Sequence, residues 1–190
     1  MPLEHALLVA LSERPGSGIE LSRRFQRSIG YFWEATHQQV YRVLARMADD
    51  GWLRVRTVPE PGKPDQKVYD VTPAGRRALA DWLAAPTPTE GTRSELAVKL
   101  RGASYGDRAR VLDTVRGALA DHETRLAHYR HLERRDYPDP AALEGQRLDQ
   151  YLVLRGGIHT EQALVAWLTE YLAAHGATPD PAPTPTGGTR

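Results

Sequence analysis

The sequence predicts a mainly α-helical protein with one small β-hairpin, arranged as two domains. Apolar residues recur at helical spacing over most of the 190-residue chain. Between residues 52 and 72, two short runs alternate apolar and polar side chains on either side of a Pro/Gly-rich loop, which is typical of an antiparallel hairpin. The segment "APTPTEGT", at residues 85–92, interrupts both patterns and is typical of a linker.

The bulk composition is that of an ordinary globular protein. Hydrophobic residues make up 41% of the chain and charged residues 26%, and the net charge of +1 means that any basic surface must be local. The absence of cysteine excludes a disulfide framework and thiolate chemistry. The first residues lack the basic start of a signal peptide, and no apolar run is long enough to span a bilayer. We therefore expect a cytoplasmic protein.

Three short helices are predicted before the hairpin. Residues 2–13 carry apolar side chains at helical spacing, and "RPGSG" separates this helix from a second one at 19–27. Thr36 is the predicted N-cap of a third helix, and Gln39 follows three residues later as its capping-box partner. Gly51 is predicted to end the third helix.

The third helix has one apolar face and one polar face. Its arrangement turns Gln38, Arg42 and Arg46 roughly outward. Glutamine can pair with an adenine edge, and arginine can pair with guanine or with phosphate. The alternative is a face that is only solvated, with Arg46 paired to Asp50 at i,i+4. The predicted inward residues are Val40, Tyr41, Leu44 and Met47.

The hairpin completes the element order of a winged helix-turn-helix, which is three helices followed by two strands. The loop "PEPGKPD" would be the wing, with Lys63 at its tip and Lys67 at the start of the second strand. Thr72 and Pro73 are then the predicted N-cap and first residue of a fourth helix that ends near residue 85.

Basic residues are concentrated where such a fold would meet DNA. Residues 23–67 carry nine basic and five acidic side chains, a net charge of +4. The N-terminal end of the third helix should enter the major groove, where the helix dipole also favours phosphate. A double-stranded DNA operator is therefore the predicted partner. The predicted DNA contacts from this pattern are Thr36, His37, Gln38, Gln39, Arg42, Arg46, Lys63 and Lys67.

Beyond the linker, the sequence predicts two long helices, at about 107–135 and from Pro140 to about 176. Each could cover only part of the apolar stripe of the other, so a second copy of the chain would cover the rest. We therefore predict a coiled-coil-like dimerisation domain; the alternative is a monomeric helical hairpin packed on the first domain. The predicted domains are a winged helix-turn-helix at 1–85, a linker at 86–93, a helical dimerisation and effector domain at 94–176 and a disordered tail at 177–190.

Three stretches before the linker carry a family signature: "ALLVALSERPGSGIELSRRF", "HQQVYRVLARMADDGWL" and "KVYDVTPAG". They resemble the PadR-like transcriptional regulators. The C-terminal half resembles the longer, virulence-activator-alpha-like type, through its helical layout and residues such as Leu96, Val98 and Leu100. The resemblance implies a dimeric winged-helix repressor that a small-molecule effector releases from its operator. It also implies that Tyr41 lies mainly in the core with its hydroxyl near the DNA backbone.

The resemblance further implies an aromatic effector bound near the dimer interface. Flat aromatic rings offer large apolar faces, and the tryptophan N–H offers one polar group. The alternative is that these rings only pack in the core. The candidate effector residues are Trp82, Tyr151, Trp167 and Tyr171.

A pair of histidines is the one candidate metal site. His128 and His131 lie at i,i+3 on a long helix, but no third ligand is clearly placed, and nearby arginines oppose cation binding. The sequence contains no phosphate-cradling glycine loop and no nucleophile elbow. We therefore expect no metal, no cofactor and no enzymatic activity. Two other functions stay open: a winged-helix module that binds protein, and a small-molecule sensor without sequence-specific DNA binding.

Overall fold

The computed structural model describes residues 3–27, 35–59, 65–87 and 94–177, without the side chains of 25–27. The chain divides into two compact units, residues 1–90 and 91–190. Among the described residues, the first unit contains four α-helices and a three-stranded antiparallel sheet, and the second is helical. This confirms the predicted mainly α-helical fold with a small β-hairpin. Most of the predicted linker and tail lies outside the described residues.

The helices of the first unit have ends that the local sequence explains. The Thr36 hydroxyl accepts a hydrogen bond from the Gln39 backbone N–H at 3.2 Å, and the Gln39 carbonyl oxygen accepts one from the Thr36 N–H at 2.9 Å. This confirms the predicted capping box. Gly51 has a φ of +74°, a left-handed conformation that favours glycine after a helix. The four helices are α1 (Leu3–Glu13), α2 (Gly18–Arg27), α3 (His37–Asp49) and α4 (Pro73–Ala84).

The sheet has three strands where the sequence predicted two. Strand β1 (Gly16–Ser17) pairs with β3 (Gln66–Val71), and β3 pairs with β2 (Leu53–Val58), all antiparallel. Strand β1 falls within "RPGSG", which the sequence indicated only as a helix break. A strand of two residues has no alternation to detect, so its pairing with β3 was not predictable from periodicity.

The core of the first unit contains the apolar faces of α1 and α3 together with the inner residues of the sheet. Leu7, Leu44 and Met47 are at most 1% exposed. The predicted burial of Tyr41 is wrong, because its side chain is 42% exposed. On a helix with about 100° between residues, Tyr41 lies at the edge of the face centred on Val40 and Leu44. The edge of that face borders α2 rather than the core.

The second unit is built mainly from two long antiparallel helices. Pro140 was predicted to open the second of them but instead starts a short 3-10 turn, Pro140–Ala142. The helix itself begins after Glu144, at Gly145, whose φ is +52°. One apolar core lies between the first half of the first long helix, the end of the second and the short helix that precedes them. It contains Leu100, Val115, Leu119, Leu168 and Leu172. The helices are α5 (Glu95–Arg101), α6 (Arg108–Asp136) and α7 (Gly145–Ala174).

A charged cluster also lies between α6 and α7. Glu161 is 8% exposed, and its carboxylate contacts His122 Nδ1 at 2.6 Å and the Arg125 Nε–H at 3.1 Å. Burial raises the pKa of the neighbouring Tyr129, and the Glu161 charge adds to this effect. A buried carboxylate needs such partners, so the cluster fixes which residues of the two helices face each other.

Candidate nucleic-acid interface

The outward face of α3 is polar over its first two turns. Thr36, His37, Gln38 and Gln39 are exposed, as is Arg42 one turn further on. Val40 and Leu44, on the opposite side, are buried in the core and hold the helix in this orientation. The structure therefore brings together, on one exposed surface, the predicted contacts of the N-terminal half of α3.

Tyr41 lies beside this surface and against α2. A Cβ added to Gly18, the first residue of α2, would lie 2.3 Å from Cε1 and 2.8 Å from Cζ of the Tyr41 ring. Such distances are far below normal van der Waals contact, so the ring occupies the space that a side chain at residue 18 would take. Glycine at this position lets α2 and α3 approach with the Tyr41 ring between them.

Replacing Gly18 with alanine should displace the Tyr41 ring while leaving the fold intact. The ring is partly exposed and can rotate away, and alanine favours a helix over glycine, by less than the about 0.5–1 kcal/mol of a helix interior because residue 18 is the first of α2. We expect an unchanged or slightly raised thermal midpoint and a weaker affinity for operator DNA, measured by circular dichroism and fluorescence anisotropy. In a Tyr41→Ala background, Gly18→Ala should change the affinity no further. An additional loss would show that Gly18 affects DNA binding independently of the Tyr41 ring.

The start of α2 is closed by a second capping box. The Glu20 carboxylate accepts hydrogen bonds from the Ser17 N–H at 2.8 Å and from the Ser17 hydroxyl at 3.1 Å. The hydrogen bond from the Ser17 backbone N–H lowers the pKa of Glu20. Gln66 of β3 also donates to the Ser17 hydroxyl, at 2.9 Å. This box was not among the predicted elements, although Ser17-x-x-Glu20 has the S-x-x-E pattern of a capping box.

Three described basic residues of the hairpin are exposed, and one of them is paired with a carboxylate. Lys67 of β3 and Arg56 of β2 are exposed. Arg54 donates to the Asp70 carboxylate at 2.7 Å across the same strand pair. Lys63, the predicted tip of the wing, lies outside the described residues. Among the described residues of the hairpin, Lys67 and Arg56 are therefore the exposed cations that form no ion pair with a carboxylate.

Two further arginines of the basic segment have partners inside the fold. Arg24 Nη1 donates to the backbone oxygens of Arg14 at 2.6 Å and Ala10 at 3.3 Å, and burial lowers its pKa. Arg46 donates to the Glu4 carboxylate of α1 at 2.8 Å. Its sequence-based alternative partner was Asp50, so the ion pair exists but with a residue that is distant in sequence.

The four candidate effector residues do not form one cluster, although Trp167 and Tyr171 lie one helical turn apart on α7. Trp82 belongs to the first unit, where its ring stacks on His5 at 4.7 Å between centroids. Tyr151 contacts Tyr137, and Tyr171, whose hydroxyl donates to the Leu100 carbonyl at 3.2 Å, lies twenty residues further along α7. At a rise of about 1.5 Å per residue, those two tyrosines are about 30 Å apart. Within the described ranges, no group of three or more metal-ligating side chains is placed to hold an ion.

Comparison with known proteins identifies the family. Residues 7–81 match the transcriptional regulator PadR-like family, and residues 92–175 match the virulence activator alpha C-terminal family. The chain is 47% identical over 184 residues to the probable transcriptional regulator Rv1176c of Mycobacterium tuberculosis, covering 92% of this chain and 97% of that protein. The chain belongs to the PadR-like family of transcriptional regulators.

Two solved structures extend the comparison to the whole PadR-like fold. The virulence activator AphA of Vibrio cholerae is 35% identical, with a TM-score of 0.76 over 92% of this chain and 98% of that chain. PadR of Bacillus subtilis in complex with operator DNA is 28% identical, with a TM-score of 0.79 over 90% of this chain and 98% of that one. These relatives confirm the family resemblance and the winged helix-turn-helix fold that the sequence predicted.

Proposed function

We propose that this PadR-like regulator binds operator DNA as a two-fold dimer in the bacterial cytoplasm and acts as a repressor that a small-molecule effector releases. The observations that carry the proposal are the exposed, carboxylate-free start of α3 and the exposed cations Arg56 and Lys67 of the hairpin that follows it in the chain. A helix of this width fits the major groove, and a basic hairpin beside it can reach the backbone or the minor groove.

Within this proposal, Gln38 and Arg42 read base edges, because both project from the outermost line of α3. Thr36, His37 and Gln39 surround the helix N-terminus, where backbone N–H groups and the dipole favour a phosphate. Tyr41 contributes its hydroxyl from the flank next to α2. Lys67 and Lys63 supply the sequence-independent contacts of the wing.

The dimer would form through an exposed stripe on α7. Leu152, Val153 and Trp167 are 54%, 54% and 37% exposed, and helical spacing places these three apolar side chains within one face of α7 about 100° wide. The residues between them are small, so a second helix can approach closely. Residues Leu154, Ile158 and Leu168 on the opposite side are already buried. The α7 stripe is defined as Leu152, Val153, Gly156, Thr160, Ala163 and Trp167.

The effector would be an aromatic small molecule. One structure of Bacillus subtilis PadR contains p-coumaric acid, which is an aromatic ligand. For the present chain we propose Trp82, Tyr151, Trp167 and Tyr171 as candidate ligand contacts. They would belong to more than one ligand site, since they lie at separate places along the chain. Such a ligand can weaken operator binding only if it binds the DNA-incompetent arrangement of the dimer more tightly.

A salt titration tests the proposal. We expect the protein to bind DNA from its own upstream region with an affinity that falls steeply with salt, followed by fluorescence anisotropy. Three phosphate contacts per protomer give a slope of about −5 in log K against log salt. The operator should also bind at least about 1,000-fold more tightly than random duplex.

Other outcomes of the titration would favour other functions. Little DNA affinity at low salt would favour a winged-helix module that binds protein. Ligand binding that leaves the DNA affinity unchanged would favour a small-molecule sensor. Expression from a reporter promoter with and without the protein then separates repression from activation, since PadR of Bacillus subtilis is described as a negative regulator and AphA as an activator.

A further inference from the structure

The two halves of α3 differ in charge. The exposed residues of its first two turns include Gln38 and Arg42 and no carboxylate, whereas Asp49 and Asp50 lie exposed at its last turn and C-cap. The remaining cation of the second half, Arg46, is bound to Glu4 of α1. The outward surface of α3 therefore changes from cationic to neutral or acidic along its length.

In the Glu4–Arg46 ion pair, Glu4 is the more buried partner. The Glu4 side chain is 19% exposed and that of Arg46 is 56% exposed, with Arg46 Nη2 2.8 Å from Glu4 Oε2. Glu4 also lies in the first turn of α1, where the helix dipole favours a carboxylate. Glu4 is therefore a fixed anion, and Arg46 is an exposed cation whose charge it offsets.

We propose that Glu4 is a specificity determinant that limits sequence-independent DNA binding by neutralising Arg46. The inference rests on the proposed DNA-binding function. Sequence-independent affinity depends on how many cations meet phosphates, whereas base reading depends on a few placed side chains. By neutralising the charge of Arg46, Glu4 lowers the affinity for any duplex. It leaves the base-contacting residues Gln38 and Arg42 unchanged. The ratio of operator to random-DNA affinity rises as a result.

The effect on the two kinds of DNA should differ. In a non-specific complex the protein can settle wherever its cations meet the most phosphates, so a released Arg46 finds a partner. At the operator, the contacts of Gln38 and Arg42 with bases fix the position of α3, so Arg46 gains less. One additional phosphate contact changes the salt slope by about −0.9 and raises affinity about eightfold at 0.1 M salt.

The test is a set of variants measured by anisotropy on a random-sequence duplex and on the operator across a range of KCl concentrations. Because the dimer gains one such contact in each protomer, Glu4→Gln should bind random DNA about 60-fold more tightly at 0.1 M salt, with a slope steeper by about two units, and its operator preference should fall. Arg46→Gln alone should not raise the random-DNA affinity and should lower it somewhat, because the Glu4 carboxylate then lacks its counter-charge. Glu4→Gln combined with Arg46→Gln should return to the wild-type values.

The control is Glu123→Gln, which removes the same charge from an exposed residue of α6 in the other unit. It should leave the random-DNA slope unchanged. The inference is overturned if Glu4→Gln leaves the random-DNA affinity unchanged, or if its gain persists when Arg46 is also replaced. A protein with no salt-dependent DNA affinity at all would instead reject the proposed function, so the two failures are distinguishable.

Discussion

Replacing Arg42 with alanine should weaken operator binding by about 1–3 kcal/mol, which is about 5- to 150-fold in Kd. Arg42 lies on the outermost line of α3, one turn after Gln38, and both are exposed. A guanidinium that pairs with a guanine edge supplies two hydrogen bonds that another base cannot replace. Anisotropy with the operator and with a random duplex measures the loss on each.

The affinity of the Arg42→Ala variant for the random duplex distinguishes base reading from phosphate contact. A base-reading residue should leave the affinity for random DNA nearly unchanged, whereas a phosphate contact would weaken both duplexes equally and flatten the salt dependence. Arg77→Ala is the matched control, because Arg77 is an exposed arginine of α4, a helix that packs against α1 and β3. An equal loss on both duplexes would remove Arg42 from the base-reading set.

A charge introduced on the α7 stripe should separate the proposed dimer. Leu152→Glu would place a carboxylate from each protomer in an apolar interface, where unpaired charges are costly. We expect a monomer by size-exclusion chromatography with light scattering, with the helical content retained by circular dichroism. Operator affinity should fall about 100-fold or more, because joining two half-site contacts raises avidity by about 10²–10⁴.

The same helix provides the control for the stripe. Gln162→Glu adds the same charge at an exposed residue on a different side of α7 and should leave the dimer intact. If Leu152→Glu stayed dimeric at micromolar concentration, the α7 stripe would not be the interface. The monomeric helical hairpin would gain support only if the wild-type protein were itself monomeric.

Local features of the chain could be predicted from sequence because their partners lie within a few residues. The Thr36–Gln39 box joins residues three apart, and the turn at Gly51 depends on one φ angle. The burial of Val40, Leu44 and Met47 also follows from helical spacing alone. These three residues fix the orientation of α3, so the exposure of Gln38 and Arg42 was predictable too.

Features that depend on distant residues could not be predicted in this way. Arg46 was expected to pair with Asp50 or with DNA, yet its carboxylate partner is Glu4, forty-two positions away. The exposure of Tyr41 depends on the glycine at residue 18, which admits the ring between α2 and α3. Helical spacing places both side chains at a flank of α3, but only the neighbouring helices determine what each one contacts.

The capping box of α3 limits how one of its glutamines can contribute to base selection. A glutamine that recognises adenine must accept a hydrogen bond through its side-chain carbonyl and donate one through its amide. The carbonyl of Gln39 already accepts from the Thr36 N–H at 2.9 Å, so the cap fixes the orientation of this amide and leaves one lone pair on its oxygen. The paired donor and acceptor that adenine requires are then more readily supplied by Gln38, while Gln39 remains suited to donate its amide hydrogens to an acceptor such as a phosphate.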